Sequence, residues 1–539
     1  MTDRPALAAP PLSAADLTFD EEVDAVIVGF GGAGACAALE ARARGAETLV
    51  VDRFTGGGAT AISGGVVYAG GSTSIQQQAG VEDDVEAMLA YLRLEVGQAV
   101  APATLQDFCE RSAANLAWLG GHGVPFEASL CPVKTSYPSD EYYLYYSGNE
   151  SFAGYREHAR PAARGHRSKG KGLPGATFYA PLKAAALRAG ARLASQCQAR
   201  RLVLDGDRVV GVELWQIPPG FAAWRHRALA WGAIKINPYQ PKWARSFRRR
   251  LSALEARFAR RRLVRARQGV VLASGGFIYN RDMVQEHAPA YRPGMPLGTT
   301  GCDGSGIQLG QSVGGAVDRM DRVSAWRFIN PPEAFTKGIM VDRRGERYAN
   351  ERLYGAQFGR KMVEEHRGEA LLIIDQSLWN EARQQVKRGR VHWFQQAPAL
   401  INLYSNRRTA GSIADLERAA KLPEGALQAT VAAYNATCAT GEDPFSKDPE
   451  HLHALTQGPY YAIDCSLGSR RFPCPTLTLG GLVVDEGTGA VKSTDGAPIE
   501  GLYAAGRTAV GISSNGYVSG LSLADCVYSG RRAGASVAP

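Results

Sequence analysis

The stretch VDAVIVGFGGAG, residues 23–34, decides the fold of this 539-residue chain. It begins as an apolar strand, passes through a G-x-G-x-x-G turn and continues into an alanine-rich helix that ends near Arg44. A second apolar strand, residues 48–51, follows and ends at Asp52. A strand, a glycine turn, a helix, a strand and an acid within about thirty residues are the pattern of a dinucleotide-binding βαβ unit. The sequence therefore predicts a Rossmann-type domain.

Each glycine of the turn has a separate role in such a unit. Gly29 permits the tight turn, Gly31 lets the backbone approach a pyrophosphate, and Gly34 allows the helix to pack close to the sheet. The first residues of the helix offer unpaired N–H groups and a partial positive charge to the phosphates. Asp52 stands where a carboxylate accepts hydrogen bonds from a ribose hydroxyl.

The motif serves NAD and FAD alike, so other parts of the chain decide between them. Residues 56–65, GGGATAISGG, form a second run of small residues, which suits a bulky isoalloxazine laid along the backbone. Further glycine-rich stretches cover residues 269–277, 301–306 and 501–507. Both ends of the chain are thus expected to contact an FAD, with another domain inserted between them.

The overall composition is that of a globular protein. Hydrophobic residues make up 45% and charged residues 21%, which excludes disordered, collagenous and coiled-coil chains. The nine cysteines contain no C-x-x-C pair and His451 and His453 stand apart from other ligands, so no metal site is predicted. The sequence has no run of about 18 apolar residues and no signal-peptide pattern. We therefore expect a cytoplasmic protein, with the inner face of the cell membrane as the alternative location.

Together, the five glycine-containing stretches resemble the FAD-containing fumarate reductase and 3-ketosteroid dehydrogenase superfamily, over most of residues 22–535. The resemblance implies an α/β fold, in which a Rossmann-type FAD-binding domain carries an inserted α+β capping and catalytic domain. The stretch RRGERYANE, residues 343–351, matches the cap signature of the superfamily. The implied organisation is a flexible tail over 1–20, an FAD-binding domain over 21–319 and 471–539, and a cap over 320–470.

The same resemblance implies that FAD is held non-covalently. It also places the start of the last helix near residues 519–521, with its positive end towards the flavin pyrimidine. The residues expected to bind FAD lie in the glycine stretches, after the second strand and at the start of this helix. They are Gly29, Gly31, Gly32, Ala33, Gly34, Asp52, Arg53, Thr60, Ala61, Ser63, Gly64, Gly65, Ala273, Gly275, Gly276, Asp303, Gly304, Gly506, Arg507, Leu521, Ser522 and Leu523. For Ser63, capping of a short helix is an equal alternative.

Departures from the fumarate reductases indicate the substrate. Enzymes that reduce dicarboxylates need cationic groups to hold two carboxylates. Their His-His-Thr-Met-Gly-Gly motif corresponds here to TLTLGG, residues 476–481, and their carboxylate-binding and relay arginines correspond to Tyr517 and Tyr354. Apolar and phenolic side chains have replaced every cation or imidazole, so a dicarboxylate substrate is disfavoured.

The run SNGYVSGLSLADC, residues 514–526, most resembles the 3-ketosteroid Δ4-(5α)-dehydrogenases. The Δ1-dehydrogenases carry Tyr-Pro-Gly-Ala-Gly where this chain has YVSG, residues 517–520. The resemblance implies that a C4–C5 double bond is introduced into 5α-3-ketosteroids, by proton abstraction at C4 and hydride transfer from C5 to FAD. The alternatives are Δ1-dehydrogenation, an ene-reductase of the fumarate reductase type acting on another substrate, and a flavin redox sensor bound to membrane or nucleic acid.

Three residues are the catalytic candidates. Tyr354, with Ser519, is expected to remove or relay the proton, and Tyr517 is expected to hold the ketone oxygen together with a backbone N–H. A phenol can act as the base if its surroundings lower its pKa. The cluster YYLYY, residues 142–146, fits two interpretations, the lining of an apolar steroid slot or the cover of a loop.

About fifty residues intervene between two expected strands of the FAD-binding domain, and this insertion, about 216–262, is basic and aromatic. Residues 215–267 carry 14 Lys and Arg and a single acid, so they hold a net charge of +13 while the whole chain has +9. One helix is predicted to hold Arg245, Arg248, Arg249, Arg250, Arg257, Arg260, Arg261 and Arg262.

Such a segment fits peripheral association with a bilayer that dissolves the steroid substrate. An oligomer contact or a plain solvated surface is the alternative, and nucleic acid is disfavoured because no recognition module accompanies the patch. A quinone-like electron acceptor is the remaining expected partner, and the sequence does not identify it.

Overall fold

A computed structural model of the chain describes residues 9–15, 17–237, 240–387 and 391–539. The strands are β1 (Leu12–Ser13), β2 (Glu21–Val28), β3 (Thr48–Asp52), β4 (Val66–Tyr68), β5 (Leu144–Tyr145), β6 (Gly165–Arg167), β7 (Arg192–Ser195), β8 (Cys197–Asp205), β9 (Arg208–Gln216), β10 (Arg260–Leu272), β11 (Met295–Pro296), β12 (Val317–Asp318), β13 (Val323–Ala325), β14 (Ile339–Val341), β15 (Leu371–Ile374), β16 (Arg407–Ala410), β17 (Tyr460–Asp464), β18 (Pro475–Thr478), β19 (Gly481–Leu482), β20 (Ala490–Lys492) and β21 (Pro498–Ala504). The α-helices are α1 (Gly32–Ala43), α2 (Ser74–Gln78), α3 (Val85–Val96), α4 (Pro102–Glu110), α5 (Ser112–Gly121), α6 (Ala153–Arg156), α7 (Gly175–Arg188), α8 (Phe221–Ile236), α9 (Pro241–Phe258), α10 (Arg281–His287), α11 (Ser305–Gln311), α12 (Ala334–Lys337), α13 (Gly355–Glu364), α14 (Gln376–Gln385), α15 (Trp393–Tyr404), α16 (Ile413–Ala420), α17 (Ala426–Thr440) and α18 (Leu521–Ser536).

A nine-stranded sheet forms the centre of the FAD-binding part, in the order β1-β8-β9-β10-β2-β3-β7, with β21 on β10 and β20 on β21. Strands β2, β3, β7, β10 and β21 run parallel to one another, whereas β9 and β20 pair in antiparallel fashion with β10 and β21. The residues 25–28 of β2 are all buried, as expected for a strand that helices cover on both faces. The parallel strands bring their carboxyl ends, and the loops that follow them, to one edge of the sheet.

A separate four-stranded antiparallel sheet, in the order β14-β15-β17-β16, carries α13 to α17 and forms the cap. Its strand β15 is buried along its whole length, because both faces of the sheet are covered. The expected fold class, an α/β FAD-binding fold with an inserted α+β cap, is confirmed. The exact boundaries of the cap at 320 and 470 stay a prediction.

The structure contradicts part of the expected flexible tail over residues 1–20. Residues Leu12 and Ser13 pair in parallel with Val203 and Leu204 and form the edge strand of the main sheet. The expectation of a flexible tail over 1–20 is therefore wrong for these two residues, because the open edge of β8 offers backbone hydrogen bonds to any segment that reaches it. Residues 1–8 and 16 lie outside the described residues.

The insertion is a helical hairpin, α8 and α9, followed by a long strand. The prediction that Arg260, Arg261 and Arg262 belong to the helix is wrong, because α9 ends at Phe258 and these residues open β10. There they pair in antiparallel fashion with β9, Arg260 opposite Gln216. The edge of β9 offers backbone hydrogen bonds to this segment, which favours a strand over a helix. Acidic side chains on the neighbouring strands also pair with the arginines there, as Glu213 does with Arg261 at 2.7 Å.

A candidate flavin site with a phenolic active site

The turn after β2 lies at the edge of the sheet where the loops after β3, β10 and β21 and the start of α18 also lie, and we call this expected cofactor site the cofactor groove. Gly29 has φ +104°, a conformation that side chains with a Cβ rarely adopt. A Cβ on Gly34 would lie 1.9 Å from the carbonyl oxygen of Gly29, so only glycine lets α1 pack this closely on the turn. A Cβ on Gly31 would meet nothing nearer than 3.8 Å, so this position faces free space at the start of α1. A phosphate group can approach the backbone there.

Asp52 ties this turn to the next strand. Its carboxylate accepts backbone N–H groups from Phe30 at 2.9 Å, Phe54 at 2.8 Å and Gly56 at 3.2 Å. A carboxylate has about four acceptor positions, so one remains for a ribose hydroxyl. Asp52 can therefore bind a ribose hydroxyl, as predicted, while its carboxylate also fixes the turn through these three hydrogen bonds.

The glycine run at 56–65 lies against the amino end of α1. The hydroxyl of Thr60 accepts the N–H of Gly32 at 3.0 Å. Ser63 donates its hydroxyl to the carbonyl of Thr60 at 2.8 Å and accepts the N–H of Gly65 at 3.1 Å. The Ser63 side chain thus closes the short 3₁₀ helix at Thr60–Ile62, as the capping interpretation expected, and its contact with a flavin stays a prediction.

The remaining predicted cofactor residues lie at the same edge of the sheet. Ala273, Gly275 and Gly276 follow β10, Gly506 and Arg507 follow β21, and residues 521–523 begin α18. Arg507 is the informative one, because among the described residues its buried Nη1 atom has no hydrogen-bond partner. A buried guanidinium nitrogen without a partner is costly, and a polar cofactor would satisfy it. The groove and this nitrogen fit FAD, which supplies a two-electron acceptor for hydride when it is bound.

Arg53 and Asp303 are also at this edge, and they are joined to each other. The Nη1 atom of Arg53 donates to Oδ2 of Asp303 at 2.8 Å. Gly304 follows with φ +80° and precedes α11, and Asp303 accepts the N–H of Ser305 at 3.1 Å.

The three predicted catalytic residues come together next to this groove. Ser519 directly precedes Gly520 and α18, and Tyr517 packs on Trp326 with ring centroids 4.9 Å apart. Tyr354, from the cap, packs on Phe328 with ring centroids 5.2 Å apart and interacts with the Ser519 hydroxyl. Tyr354 and Tyr517 are 163 positions apart in the chain, and the fold brings them together in one site.

The structure adds Tyr145 to this site. Its hydroxyl lies 3.0 Å from Oγ of Ser519, and Ser147 donates its hydroxyl to the carbonyl of Ser519 at 3.0 Å. Tyr145 is fully buried. The sequence left two interpretations of the YYLYY cluster open, the lining of a slot and the cover of a loop. The contact between Tyr145 of β5 and Ser519 singles out Tyr145 within the cluster.

Burial keeps the three phenols neutral. It raises the pKa of Tyr354 and of Tyr145 well above the usual value, and contact with Ser519 opposes this only in part. Burial likewise raises the pKa of Tyr517, against the opposing charge of Arg507. The idea that the surroundings lower the pKa of a phenol to make it a base is therefore wrong for this state of the protein. The phenols are hydrogen-bond donors and can take up a proton only by passing one on.

One buried cation faces Tyr354 and was not predicted from the sequence. The ammonium of Lys134 lies 5.6 Å from the ring centroid of Tyr354 and 5.9 Å from that of Phe152. It donates to the carbonyl of Tyr146 at 3.2 Å and to that of Gly148. Burial lowers the pKa of Lys134 to about 8. A positive charge at this distance stabilises negative charge that develops on Tyr354.

A network of buried groups fixes the position of Tyr354. Its backbone N–H donates to Oδ1 of Asn149 at 2.7 Å, and Asn149 donates to Oε1 of Glu95 at 3.1 Å. On the cap side, Glu351 pairs with Lys447 at 2.7 Å and with Arg347 at 2.8 Å. Tyr354 is thus held from both the FAD-binding part and the cap.

Across the described ranges, the structure brings no three His, Cys, Asp or Glu side chains together in a way that could hold a metal ion. The nine cysteines are free thiols, and most of them are buried.

Comparison with known proteins agrees with this site. The model of the family described as FAD binding domain matches residues 24–523. The chain is 41% identical to a 3-oxo-5-alpha-steroid 4-dehydrogenase of Comamonas testosteroni over 92% of this chain and 94% of that protein. It is 27% identical to a 3-oxosteroid 1-dehydrogenase of Mycobacterium tuberculosis, with the same shares of the two chains.

A solved structure is also similar along the whole chain. It is that of a 3-ketosteroid-delta4-(5alpha)-dehydrogenase from Rhodococcus jostii in complex with 4-androstene-3,17-dione, at 32% identity and a TM-score of 0.82, covering 98% of this chain and 100% of that one. The family match spans most of the sequence. The chain therefore belongs to the FAD binding domain family, in the group of flavoproteins that contains the 3-ketosteroid dehydrogenases.

Proposed function

We propose that this protein is an FAD-dependent 3-ketosteroid dehydrogenase that introduces a double bond between C4 and C5 of 5α-3-ketosteroids. The observation that carries the proposal is the meeting of Tyr354, Tyr517, Tyr145 and Ser519 beside the flavin groove. Neutral phenols suit a neutral ketone, and they do not suit a dicarboxylate, which needs cations. Two relatives, 41% and 32% identical to this chain over 94% and 100% of their own length, carry names of this activity.

The residues divide the work by their positions. The Tyr517 hydroxyl, together with a backbone N–H at the start of α18, is suited to donate to the ketone oxygen and thereby to acidify the hydrogens on C4. Tyr354 accepts the C4 proton and releases its own proton to the Ser519 hydroxyl. Ser519 and Tyr145 each pass one proton on in turn, so that every hydroxyl is neutral again and one proton leaves the site for the solvent. FAD, held by the loops at this edge of the sheet, would supply the acceptor for the hydride from C5, so that the substrate would lose two electrons and two hydrogens in total.

The remaining assignments support this proposal. The cap over 320–470 carries Tyr354 and would cover the steroid on the face opposite the flavin. The residues predicted to hold FAD would do so from the loops at the carboxyl ends of β2, β3, β10 and β21 and from the start of α18. A quinone-like compound would take the electrons away and regenerate the oxidised cofactor.

Anaerobic mixing of the yellow protein with a saturated 5α-3-ketosteroid tests the proposed reaction. We expect the absorbance of the oxidised flavin, at about 450 nm, to bleach. The steroid should appear as the 4-ene. The matched control is a 4-ene-3-ketosteroid, which a C4–C5 dehydrogenase cannot oxidise further. Bleaching by the 4-ene compound would instead indicate Δ1-dehydrogenation, and bleaching by neither steroid would contradict the proposed function.

The hairpin α8–α9 supports a second part of the proposal, binding to an anionic bilayer surface. Phe221, Trp224 and Trp231 lie at helical spacings of three and seven residues on α8 and are 71%, 57% and 65% exposed. Exposed Arg225 and Lys235 are on the same helix. Aromatic side chains beside basic ones are typical of helices in the headgroup region, where a lipid-dissolved steroid is available. No described helix is long and apolar enough to cross a membrane.

Replacing Trp224 and Trp231 together by Ser is expected to weaken binding to anionic vesicles by about tenfold or more, since each buried large apolar side chain contributes about 1.5–3 kcal/mol. Co-sedimentation with vesicles that contain phosphatidylserine measures this, and added salt should weaken the binding of the wild type. The control is Trp393→Ser, because Trp393 is also 65% exposed but lies on α15 of the cap. Equal sedimentation of the double variant and the wild type would contradict the lipid contact.

A further inference from the structure

The inserted hairpin is joined to the cofactor groove by its single acidic residue. Residues 215–267 contain one acid, Glu255, among 14 Lys and Arg. The Nε and Nη2 atoms of Arg53 donate to the two carboxylate oxygens of Glu255, at 2.8 Å each. The third side of the same guanidinium donates to Asp303 at 2.8 Å. Two-pronged pairing of this kind is the strongest form of the Arg–carboxylate interaction.

The other helix of the hairpin is bound at the same point. His226 of α8 lies with Nε2 3.0 Å from Oε1 of Glu255, and its ring stacks on Phe54 with centroids 5.8 Å apart. Its Nδ1 atom is 3.1 Å from the amide nitrogen of Gln196, which also donates to the carbonyl of Ala223 at 2.8 Å. Both helices therefore converge on Arg53 and Phe54.

This contact is not on a distant surface. Arg53 and Phe54 directly follow Asp52 at the carboxyl end of β3, where a Rossmann-type domain places the ribose of the adenosine half of its dinucleotide. Asp303 belongs to the glycine stretch that precedes α11, on the opposite side of the guanidinium. The hairpin is thus anchored to two segments that the sequence assigned to FAD.

We propose that the hairpin α8–α9 is a clamp on the adenosine end of the FAD site, and that Glu255 is the positioning residue that orients Arg53 towards the cofactor. The oppositely charged partners on both sides leave the guanidinium one orientation, so its position relative to the ribose is set before FAD arrives. His226 fixes the carboxylate of Glu255 in turn. The basic outer surface of the insertion then serves contact with other molecules, while its single acid serves the cofactor.

The charge states agree with a permanent clamp. Burial by itself raises the pKa of Glu255, and the neighbouring Arg53 and His226 reverse this and bring the value down to about 2. The carboxylate is therefore ionised at any pH at which the protein is handled. The interaction contributes fully above the pKa of an unfolded glutamate, about 4.3, and is lost only as the pH falls from there towards 2.

The affinity of the apoprotein for FAD tests the clamp. In Glu255→Gln we expect the FAD dissociation constant, measured by quenching of flavin fluorescence, to rise about tenfold or more, since Arg53 loses the ionised partner that fixes its orientation. Hydrogen exchange of the backbone amides in α9 should become faster in the same variant. Glu255→Asp should recover part of the affinity, because the charge is restored at a shorter reach. The control is Arg250→Gln, an exposed change on the same helix, with an affinity within about twofold of the wild type.

An FAD dissociation constant of Glu255→Gln within about twofold of the wild type would overturn the clamp. This holds even if the variant unfolds at a lower temperature, because a purely structural role changes stability and not affinity. If Glu255→Gln does not fold, His226→Gln is the second variant. It removes the ring that stacks on Phe54, and an unchanged affinity there would overturn the proposal equally. No steroid is needed for either measurement, so the outcome is independent of the proposed reaction.

Discussion

A Tyr354→Phe variant is expected to keep its FAD and to turn over a 5α-3-ketosteroid about 10²- to 10⁴-fold more slowly than the wild type. The change removes the hydroxyl that we propose takes the C4 proton and leaves the ring in its place against Phe328 and Lys134. Stopped-flow measurement of flavin reduction under anaerobic conditions separates this step from reoxidation. The loss should appear in the maximal rate of reduction and not in the FAD content.

The cap offers a matched control for this variant. Tyr348 is also buried in the cap, but its hydroxyl has no hydrogen-bond partner among the described residues, so Tyr348→Phe should reduce flavin at the wild-type rate. Tyr517→Phe and Ser519→Ala complete the set, and each should lose turnover with FAD retained, by about 10²- to 10³-fold where a donor to the ketone oxygen is removed. Wild-type rates in all three site variants would contradict the phenolic active site.

The second large effect is on stability. Lys447→Met is expected to lower the free energy of unfolding by about 3–5 kcal/mol, because it leaves the buried carboxylate of Glu351 short of one of its two cationic partners. Lys447 is fully buried, and its ammonium lies 2.7 Å from Glu351 and 2.8 Å from the carbonyl of Gly338. Chemical denaturation followed by fluorescence measures the change. Since Glu351 is three residues from Tyr354, the maximal rate of flavin reduction should fall as well.

A lysine on the cap surface provides the comparison. Lys337 pairs with Glu381 at the similar distance of 2.8 Å, but the two side chains are 26% and 35% exposed. Water screens this pair, so Lys337→Met should cost about 0.2–1 kcal/mol. Equal losses in Lys447→Met and Lys337→Met would show that burial of the charge cluster does not govern the stability of the cap.

Local backbone requirements are the part of the fold that the sequence predicts well. Gly29 and Gly34 occupy positions where a Cβ is excluded by the turn itself and by the approach of α1, so the spacing of the glycines carries the geometry. The start of α18 at Leu521 agrees with the start near residues 519–521 that the family resemblance implied, and Gly520, with φ +93°, directly precedes it. Features of this kind depend on a few neighbouring residues and need no tertiary information.

Features that depend on distant partners were less predictable. Arg260 to Arg262 have ordinary helix propensity, and only the edge of β9 draws them into a strand. Tyr145 could not be separated from its neighbouring tyrosines until β5 was placed beside Ser519. The phenols are neutral because they are buried, and the burial of these side chains could not be predicted from the sequence. Lys134 was missed because an isolated lysine in a loop carries no pattern.

The single acid of the basic insertion shows the same limit. The sequence shows that Glu255 stands alone among 14 basic residues, and it does not show where the carboxylate points. The structure places it against Arg53, a residue that the sequence had assigned to the cofactor. The charge pattern therefore identifies Glu255 as unusual. Its role becomes visible only from its pairing with Arg53, which is more than 200 positions away in the chain.

The most direct test of the account uses a 5α-3-ketosteroid deuterated at C5, mixed anaerobically with the wild-type protein. The account predicts that flavin reduction is slower than with the unlabelled steroid, because the C5–H bond breaks as hydride in that step, and that the product is the 4-ene without the deuterium. An unchanged rate together with a C1–C2 double bond and retained deuterium would contradict it.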